Sequence, residues 1–180
     1  MLKRLLCCLL VALWLSGCAM QPAPAPSLAA LPVAPAQTLQ LRFVHAGEEH
    51  AMIGVLRRDV DSLRLALLSP QGQRLLTWSR NADGAKLESQ DWQPPFDADW
   101  LGSRLAWSLW PAEALQQAFN GSRWALQGSP DERLIYYRKQ LIAKVKIAGN
   151  CRRIDDLDAG YQLTITVANA ARNPAPCPKF

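Results

Sequence analysis

The sequence predicts an α+β domain in which a curved antiparallel β-sheet, a half-barrel, carries two short helices as a lid. Three observations predict this class. Apolar and polar residues alternate from residue 38 onward, the apolar period becomes helical near residue 100, and alternation returns after residue 122. The helices have an apolar side to bury, and the concave side of the sheet can receive it.

The first half of the domain is predicted to be a run of β-hairpins. Turn signals at residues 70–72 (Pro-Gln-Gly) and 83–84 (Asp-Gly) separate alternating segments. Segments 53–56 and 65–68 are apolar on both sides, which indicates that a helix or a partner covers part of the second side. The predicted strands are 39–44, 52–56, 63–68, 75–79 and a weaker one at 86–89.

The middle of the chain is predicted to form the two helices. Asp97 or Asp99 can cap the first helix, Pro111 suits the first position of the second, and Asn120-Gly121 ends it. The leucines at four-residue spacing and the tryptophans beside them are Leu101, Leu105, Leu109, Trp100 and Trp107. Strands are then predicted at 123–127, 133–138, 141–147 and 161–168.

The N-terminus is typical of a bacterial lipoprotein signal, predicted over residues 1–17. Lys3 and Arg4 precede an apolar run at 5–15, which is too short to span a bilayer. The following Leu-Ser-Gly-Cys resembles a lipobox, which implies cleavage before Cys18 and lipidation of that residue. An ordinary signal peptide with a chance cysteine is the alternative. Ala19, where an aspartate would imply retention at the inner membrane, points to the outer membrane.

Residues 18–37 are predicted to be a lipidated cysteine followed by a Pro- and Ala-rich tether, and residues 38–180 the folded domain. Five prolines between residues 22 and 35 argue against a membrane-spanning helix. Such segments act as semi-rigid spacers, so we expect this one to hold the domain away from the membrane.

Two cysteines remain once the signal is removed and Cys18 is lipidated. Cys151 and Cys177 would lie in an oxidising compartment, where a disulfide between them is expected to contribute about 3 kcal/mol. Two free thiols are the alternative. A metal site is disfavoured because neither histidine is near them in sequence.

The charged residues argue against several functions. The formal net charge is +5, and its cations are spread over strands, which does not indicate a nucleic-acid binder. Most of these cations are expected on a solvated face, with attraction to anionic head groups as the alternative. The acidic run at 155–158 lacks the pattern of a calcium loop, and we interpret it as a loop before the last strand.

Catalytic motifs are also absent from the sequence. It contains no nucleophile elbow, P-loop or dinucleotide fingerprint. His45 and His50 flank a turn with Glu48 and Glu49, at a spacing that matches no zinc motif, and we interpret them as solvated. The sequence therefore predicts no enzyme, metal or cofactor, and a hydrolase would have to use one of these two histidines.

Three segments carry a resemblance to a known family. Residues 63–73 (LRLALLSPQGQ) hold a Pro-x-Gly turn between strands, residues 105–111 (LAWSLWP) are a Trp-rich helical segment, and 151–154 with 161–165 are two final strands. In this order they resemble LolB, the outer-membrane lipoprotein receptor, and more closely an uncharacterised family of outer-membrane lipoproteins related to it. The resemblance spans about residues 39–167.

The resemblance implies a lipid-binding half-barrel that takes acyl chains under a helical lid. Apolar burial at about 25 cal/mol per Å² would hold such a chain with few directional demands. The alternative is that the same residues form a packed core. The predicted lining of the ligand cavity is Phe43, Met52, Leu65, Leu67, Leu76, Trp78, Leu101, Leu105, Leu109 and Tyr136.

One turn residue departs from the receptor family. That family has an exposed leucine in the Pro-x-Gly turn, which helps deliver lipoproteins into the membrane, whereas this chain has Gln71. We therefore expect capture or shuttling of a lipid-like molecule or lipoprotein at the periplasmic side of the outer membrane. A periplasmic carrier protein is the expected partner, and the alternative is a non-enzymatic scaffold that grips partner proteins.

Overall fold

The computed structural model describes residues 21–31, 36–90, 92–168 and 177–178. Within these residues the chain forms ten β-strands and two α-helices, preceded by a single 3-10 turn at Leu28–Ala30. In chain order the elements are β1 (Gln37–His45), β2 (Glu48–Arg58), β3 (Leu63–Leu68), β4 (Arg74–Asn81), β5 (Gly84–Gln90), α1 (Ala98–Leu109), α2 (Ala112–Phe119), β6 (Trp124–Ser129), β7 (Glu132–Tyr137), β8 (Gln140–Ala148), β9 (Cys151–Asp156) and β10 (Tyr161–Ala168).

The ten strands form one antiparallel sheet in the order β5-β4-β3-β2-β1-β10-β9-β8-β7-β6. Two five-stranded meanders, β1 to β5 and β6 to β10, are joined where β1 pairs with β10, with Leu41 opposite Ile165. β5 and β6 are consecutive in sequence but form opposite edges, so the sheet does not close into a barrel. The predicted α+β class with an antiparallel sheet and two short helices is confirmed.

The strands to which α1 is joined show that it lies on the concave side of the sheet. In a flat sheet, seven strand spacings of about 4.8 Å would separate β5 from β8 by about 34 Å. The helix α1 has 12 residues and is about 18 Å long, yet it contacts β5 as well as β8 and β9. The sheet therefore curves around α1. We call this covered concave side the roofed face.

Local sequence explains where the helices begin and end. The Asp97 side chain caps α1 by accepting a hydrogen bond from the Trp100 N–H at 2.6 Å, so Asp97 and not Asp99 is the cap. Pro111 lacks an N–H and stops the first helix from continuing. It occupies the capping position of α2, one residue before the predicted one, and Asn120 follows the end of that helix as predicted.

The main difference from the predicted elements is β9. Asp155 and Asp156 belong to this strand, so the interpretation of these residues as a loop is wrong. The strand carries charges on both sides and lacks an apolar alternation, which is why it reads as a loop. Its pairing with β8 and β10 and a buried partner for Asp156, described below, overcome that weak local signal.

The pairing of Cys151 with Cys177 is confirmed. Their Cα atoms lie 5.6 Å apart and the disulfide attaches residue 177 to the start of β9. The Cys177 Sγ also lies 3.0 Å from the Thr166 hydroxyl on the neighbouring strand. The predicted lipidation site, Cys18, lies outside the described residues.

Candidate functional site: the roofed face and its strap

The roofed face is lined by apolar side chains from both the sheet and α1. Eight of the ten residues predicted to line a cavity are at most 5% exposed and belong to a single apolar cluster. They contact one another and so also form the domain core: Phe43, Met52, Leu65, Leu67, Leu76, Trp78, Leu101 and Leu105. Leu109 is partly buried and packs against the same cluster.

Tyr136 is the one predicted lining residue that lies elsewhere. Ile135 and Tyr137 are buried, whereas Tyr136 between them is only partly buried. Successive side chains point to opposite faces of a strand, and the Tyr137 ring contacts Trp124 at 5.0 Å on the roofed face. Tyr137 therefore takes the place that we assigned to Tyr136. Two adjacent tyrosines carry no local signal that tells which one points inward.

A buried ion pair attaches α1 to the sheet. Arg104 of α1 donates from Nε to Asp156 Oδ2 of β9 at 2.8 Å, and a second donation comes from Nη2. The Arg104 guanidinium lies over the rings of Trp100 and Trp107, at 4.5 and 4.4 Å from their centroids. Burial lowers the pKa of Arg104, and the Asp156 carboxylate opposes that shift. No local sequence pattern indicates this pair, because its members are 52 residues apart in the chain.

A second arginine holds the C-terminal end of α1. Arg133 of β7 donates to the carbonyls of Trp107 and Trp110, at 2.6 and 2.8 Å. A cation at this position satisfies carbonyls that have no partner within the helix and complements the negative end of the helix dipole. Burial lowers the pKa of Arg133, with a smaller contribution from Arg152. Buried arginines thus attach the middle and the C-terminal end of the lid helix to the sheet.

Aromatic rings surround the C-terminal half of α1. Trp124 of β6 lies 5.8 Å from Trp107 and 6.1 Å from Phe119 of α2, measured between ring centroids. Together with Tyr137 these rings form a continuous aromatic wall between the helices and the β6–β7 edge. The helical patterns of the sequence indicated Trp107 and Phe119, whereas Trp124 of β6 was not singled out.

The segment Gln21–Leu31, here called the strap, packs on the domain and is not a free spacer over these residues. The indole N–H of Trp124 donates to the Gln21 carbonyl at 3.1 Å, and the indole N–H of Trp110 donates to the Ser27 carbonyl at 3.0 Å. The Gln21 N–H donates to the Tyr137 hydroxyl at 3.3 Å. The strap therefore runs from the β6–β7 edge across the domain.

The second half of the strap is held by arginines of the first meander. Arg80 of β4 donates to the Pro26 carbonyl at 3.5 Å, and Arg58 of β2 donates to the Leu31 carbonyl. Pro26 is buried, and Leu28 packs against the core cluster. Composition alone indicated a spacer here, because the partners of the strap are indoles and arginines distant in sequence.

Two small openings lie between the strap and α1. One, of about 180 Å³, is lined by strap residues 21–23 together with Trp100, Arg104 and Trp124. The other, of about 120 Å³, is lined by strap residues 22–25 together with Arg80 and Ala106. Because both openings touch strap and helix alike, their size depends on where the strap lies.

The fold and this site define a class of protein. Its members have an open antiparallel sheet, helices that cover one side of that sheet, and an extended strap that packs on the helices. The chain belongs to the family DUF3261, described as a protein of unknown function, whose model matches residues 36–169. The match contains all ten strands and both helices and leaves the strap outside. A search of curated proteins finds no match. None of the helices in the described part of the chain is long and apolar enough to cross a membrane.

Proposed function

We propose that this chain is a lipoprotein anchored to the outer membrane through Cys18, whose domain faces the periplasm and binds a hydrophobic, acyl-containing ligand. The ligand is a lipid or a lipoprotein, which the domain transfers or holds at the envelope without catalysis. The anchor is supported by the N-terminal sequence, in which a charged and then apolar segment ends in Leu-Ser-Gly-Cys. Several acyl chains on that cysteine would make the attachment effectively permanent.

One observation carries the ligand proposal. The roofed face is apolar, and the helix above it is joined to the sheet by only a few polar contacts. Polar contacts attach α1 to the sheet through Arg104, Arg133 and the Trp78 indole, which donates to the Ala98 carbonyl at 2.8 Å. The core cluster that α1 shares with the sheet is otherwise made of apolar side chains. An apolar interface of this kind can exchange one hydrocarbon partner for another, at about 0.8 kcal/mol per buried CH₂. The LolB-like order of elements supports the same function.

The β3–β4 turn favours capture or shuttling over insertion into the membrane. Pro70 and Gln71 are exposed, and the Gly72 N–H donates to the Ser69 carbonyl at 2.9 Å to close the turn. A polar amide at the tip gains nothing from acyl chains, so this turn is unsuited to entering a bilayer. A periplasmic carrier that delivers the ligand is the expected partner.

Native mass spectrometry tests the ligand proposal. The protein is released from membranes, and masses beyond its covalent lipid are sought in the intact folded species. Leu109→Arg places a charge among the apolar residues under the lid and should abolish the additional mass, whereas Leu157→Arg, at a residue 53% exposed, should retain it. A wild-type protein without any additional lipid, at any loading with free fatty acid, contradicts the proposal.

A scaffold role is the second candidate, and the convex side of the sheet favours it. Ile53 lies opposite Leu68, and Val55 opposite Ala66, on the side of β2 and β3 that faces away from the helices. All four side chains are partly buried and adjacent, which makes an apolar patch on that side. Loss of partner capture on Ile53→Lys, in a protein that carries no lipid, would favour the scaffold over the carrier.

A further inference from the structure

We propose that the strap is a latch that closes the lid, so that an acyl ligand reaches the roofed face only when the strap leaves its seat on α1. This inference rests on the proposed ligand binding and concerns the regulation of the same site. The strap and the ligand would compete through the position of α1. While the docked strap holds α1 against the sheet, an acyl chain has no room between the helix and the sheet.

The burial of α1 shows that it is covered from two sides. Leu101 and Leu105 point to the sheet and are at most 2% exposed. The opposite side of the helix carries Asp99, Ser103 and Ala106 at spacings of four and three residues, and these residues line the openings beneath the strap. Ala106 is only 3% exposed, and the opening that it lines is shared by strap residues 22–25 and by Arg80, Gly84 and Ala85 of β4 and β5. The strap therefore provides part of the cover of the lid helix on this side.

The contacts of the strap suit a segment that can be released. Four side chains of the domain donate to strap carbonyls, at Gln21, Pro26, Ser27 and Leu31. Each neutral hydrogen bond changes an equilibrium constant by about 2- to 10-fold. A proline-rich chain is already extended before it docks, so docking costs it little conformational entropy. These contacts can keep the strap docked in the absence of a ligand. The free energy gained by burying a hydrocarbon chain can still exceed that of strap docking.

Next to the strap, the space for a ligand is small while the strap is seated. The openings of about 180 and 120 Å³ next to the strap are both smaller than the range of about 300–1,000 Å³ typical of ligand pockets. Because strap residues 22 and 23 line both openings, departure of the strap would join them along α1 and free the helix to lift. The space available to a ligand beside α1 would therefore depend on the equilibrium between the docked and the undocked strap.

The strap begins close to the proposed anchor. Cys18 precedes Gln21 by three residues, which span at most about 10 Å of extended chain. A lipidated Cys18 would therefore keep the first strap contacts, Trp124 and Tyr137, near the bilayer surface. The latch would be released next to the membrane from which an acyl ligand comes or to which it goes.

The test uses the chain from residue 18 onward with Cys18→Ser, so that no attached lipid competes as a ligand. The double variant Trp110→Phe/Trp124→Phe removes two indole donors to the strap and retains apolar rings. Pro26→Asp instead alters the strap itself, by placing a charge in a buried position, and leaves the domain sequence intact. Trp92→Phe is the matched control, because Trp92 has no contact with the strap in the described structure.

Two quantities are measured for each variant, the hydrogen exchange of the strap amides and the affinity for cis-parinaric acid, a fluorescent fatty acid. Two lost hydrogen bonds should raise strap exchange by roughly 30-fold and tighten fatty-acid binding by a similar factor, since apparent affinity scales with the open fraction. Pro26→Asp should change both quantities in the same direction, and the control should change neither.

The failures can be told apart. Faster strap exchange with unchanged fatty-acid affinity overturns the latch and leaves the proposed function standing. Unchanged strap exchange in both test variants also overturns the latch, because these contacts then do not hold the strap. Absence of fatty-acid binding in the wild type and in every strap variant overturns the proposed function, and the latch with it.

Discussion

Replacing Asp156 by leucine should destabilise the fold by about 3–5 kcal/mol, because it leaves the Arg104 guanidinium buried without a counter-charge. The magnitude follows from burial: the two side chains are 4% and 1% exposed, so water cannot replace the lost partner. The Asp156 carboxylate also accepts from the Ala159 N–H at 3.0 Å, so the turn before β10 loses an attachment as well.

Urea unfolding followed by tryptophan fluorescence measures this cost, and Trp100 and Trp107 beside the guanidinium report on the lid directly. The double variant Arg104→Met/Asp156→Leu should recover about 3 kcal/mol relative to Asp156→Leu alone, since no unpaired charge remains. Asp155→Leu is the matched control on the same strand. Its pair with Arg153 is about a quarter exposed on each side, and its loss should cost at most about 1 kcal/mol. Equal costs for Asp155→Leu and Asp156→Leu would show that burial of the Arg104–Asp156 pair does not set its contribution to stability.

Three further predictions concern the remaining supports of the fold and the anchor. Cys177→Ser opens a disulfide between residues 26 apart and should cost about 3.5 kcal/mol in thermal or urea unfolding; an unchanged midpoint with reductant would show that the bond does not contribute. Gly54→Ala should lower the free energy of unfolding by about 1–3 kcal/mol, because a Cβ there would lie 2.7 Å from Leu41 Cδ1 and 3.1 Å from Leu65 Cδ1. An unfolding midpoint equal to that of wild type would show that the core accommodates the added methyl group without loss of stability. Cys18→Ser should abolish incorporation of labelled palmitate and move the protein from the membrane to the soluble fraction, and labelling that persists would place the lipid elsewhere.

Apolar periodicity and turn signals were sufficient to predict nine of the ten described strands, because these strands carry a local signal that β9 lacks. β3 illustrates this: Leu63, Leu65 and Leu67 are buried and the residues between them are not. The helices were also predictable, since a capping aspartate and a proline mark their starts. These signals are local, and the observed bounds lie within one or two residues of the predicted ones, except that β2 begins at Glu48, four residues before its predicted start.

Long-range contacts account for what the sequence could not predict. Asp156 in the charged strand β9 pairs with Arg104, which lies 52 residues earlier in the chain. No local sequence pattern indicates so distant a partner. The strap has the composition of a spacer, and its seat depends on indole donors about 80 to 100 residues away. The choice of Tyr137 over Tyr136 at the roofed face depends on the alternation of one strand with two equivalent rings.

A fatty acid that carries a photoreactive diazirine along its chain can locate an acyl chain between α1 and the sheet. The cross-linked peptides are then identified by mass spectrometry. We expect cross-links to α1 and to the facing strands β3, β4 and β7, with Leu105 and Tyr137 among the modified residues. Cross-links confined to the convex side around Ile53, or no cross-links at saturating fatty acid, would contradict binding between α1 and the sheet.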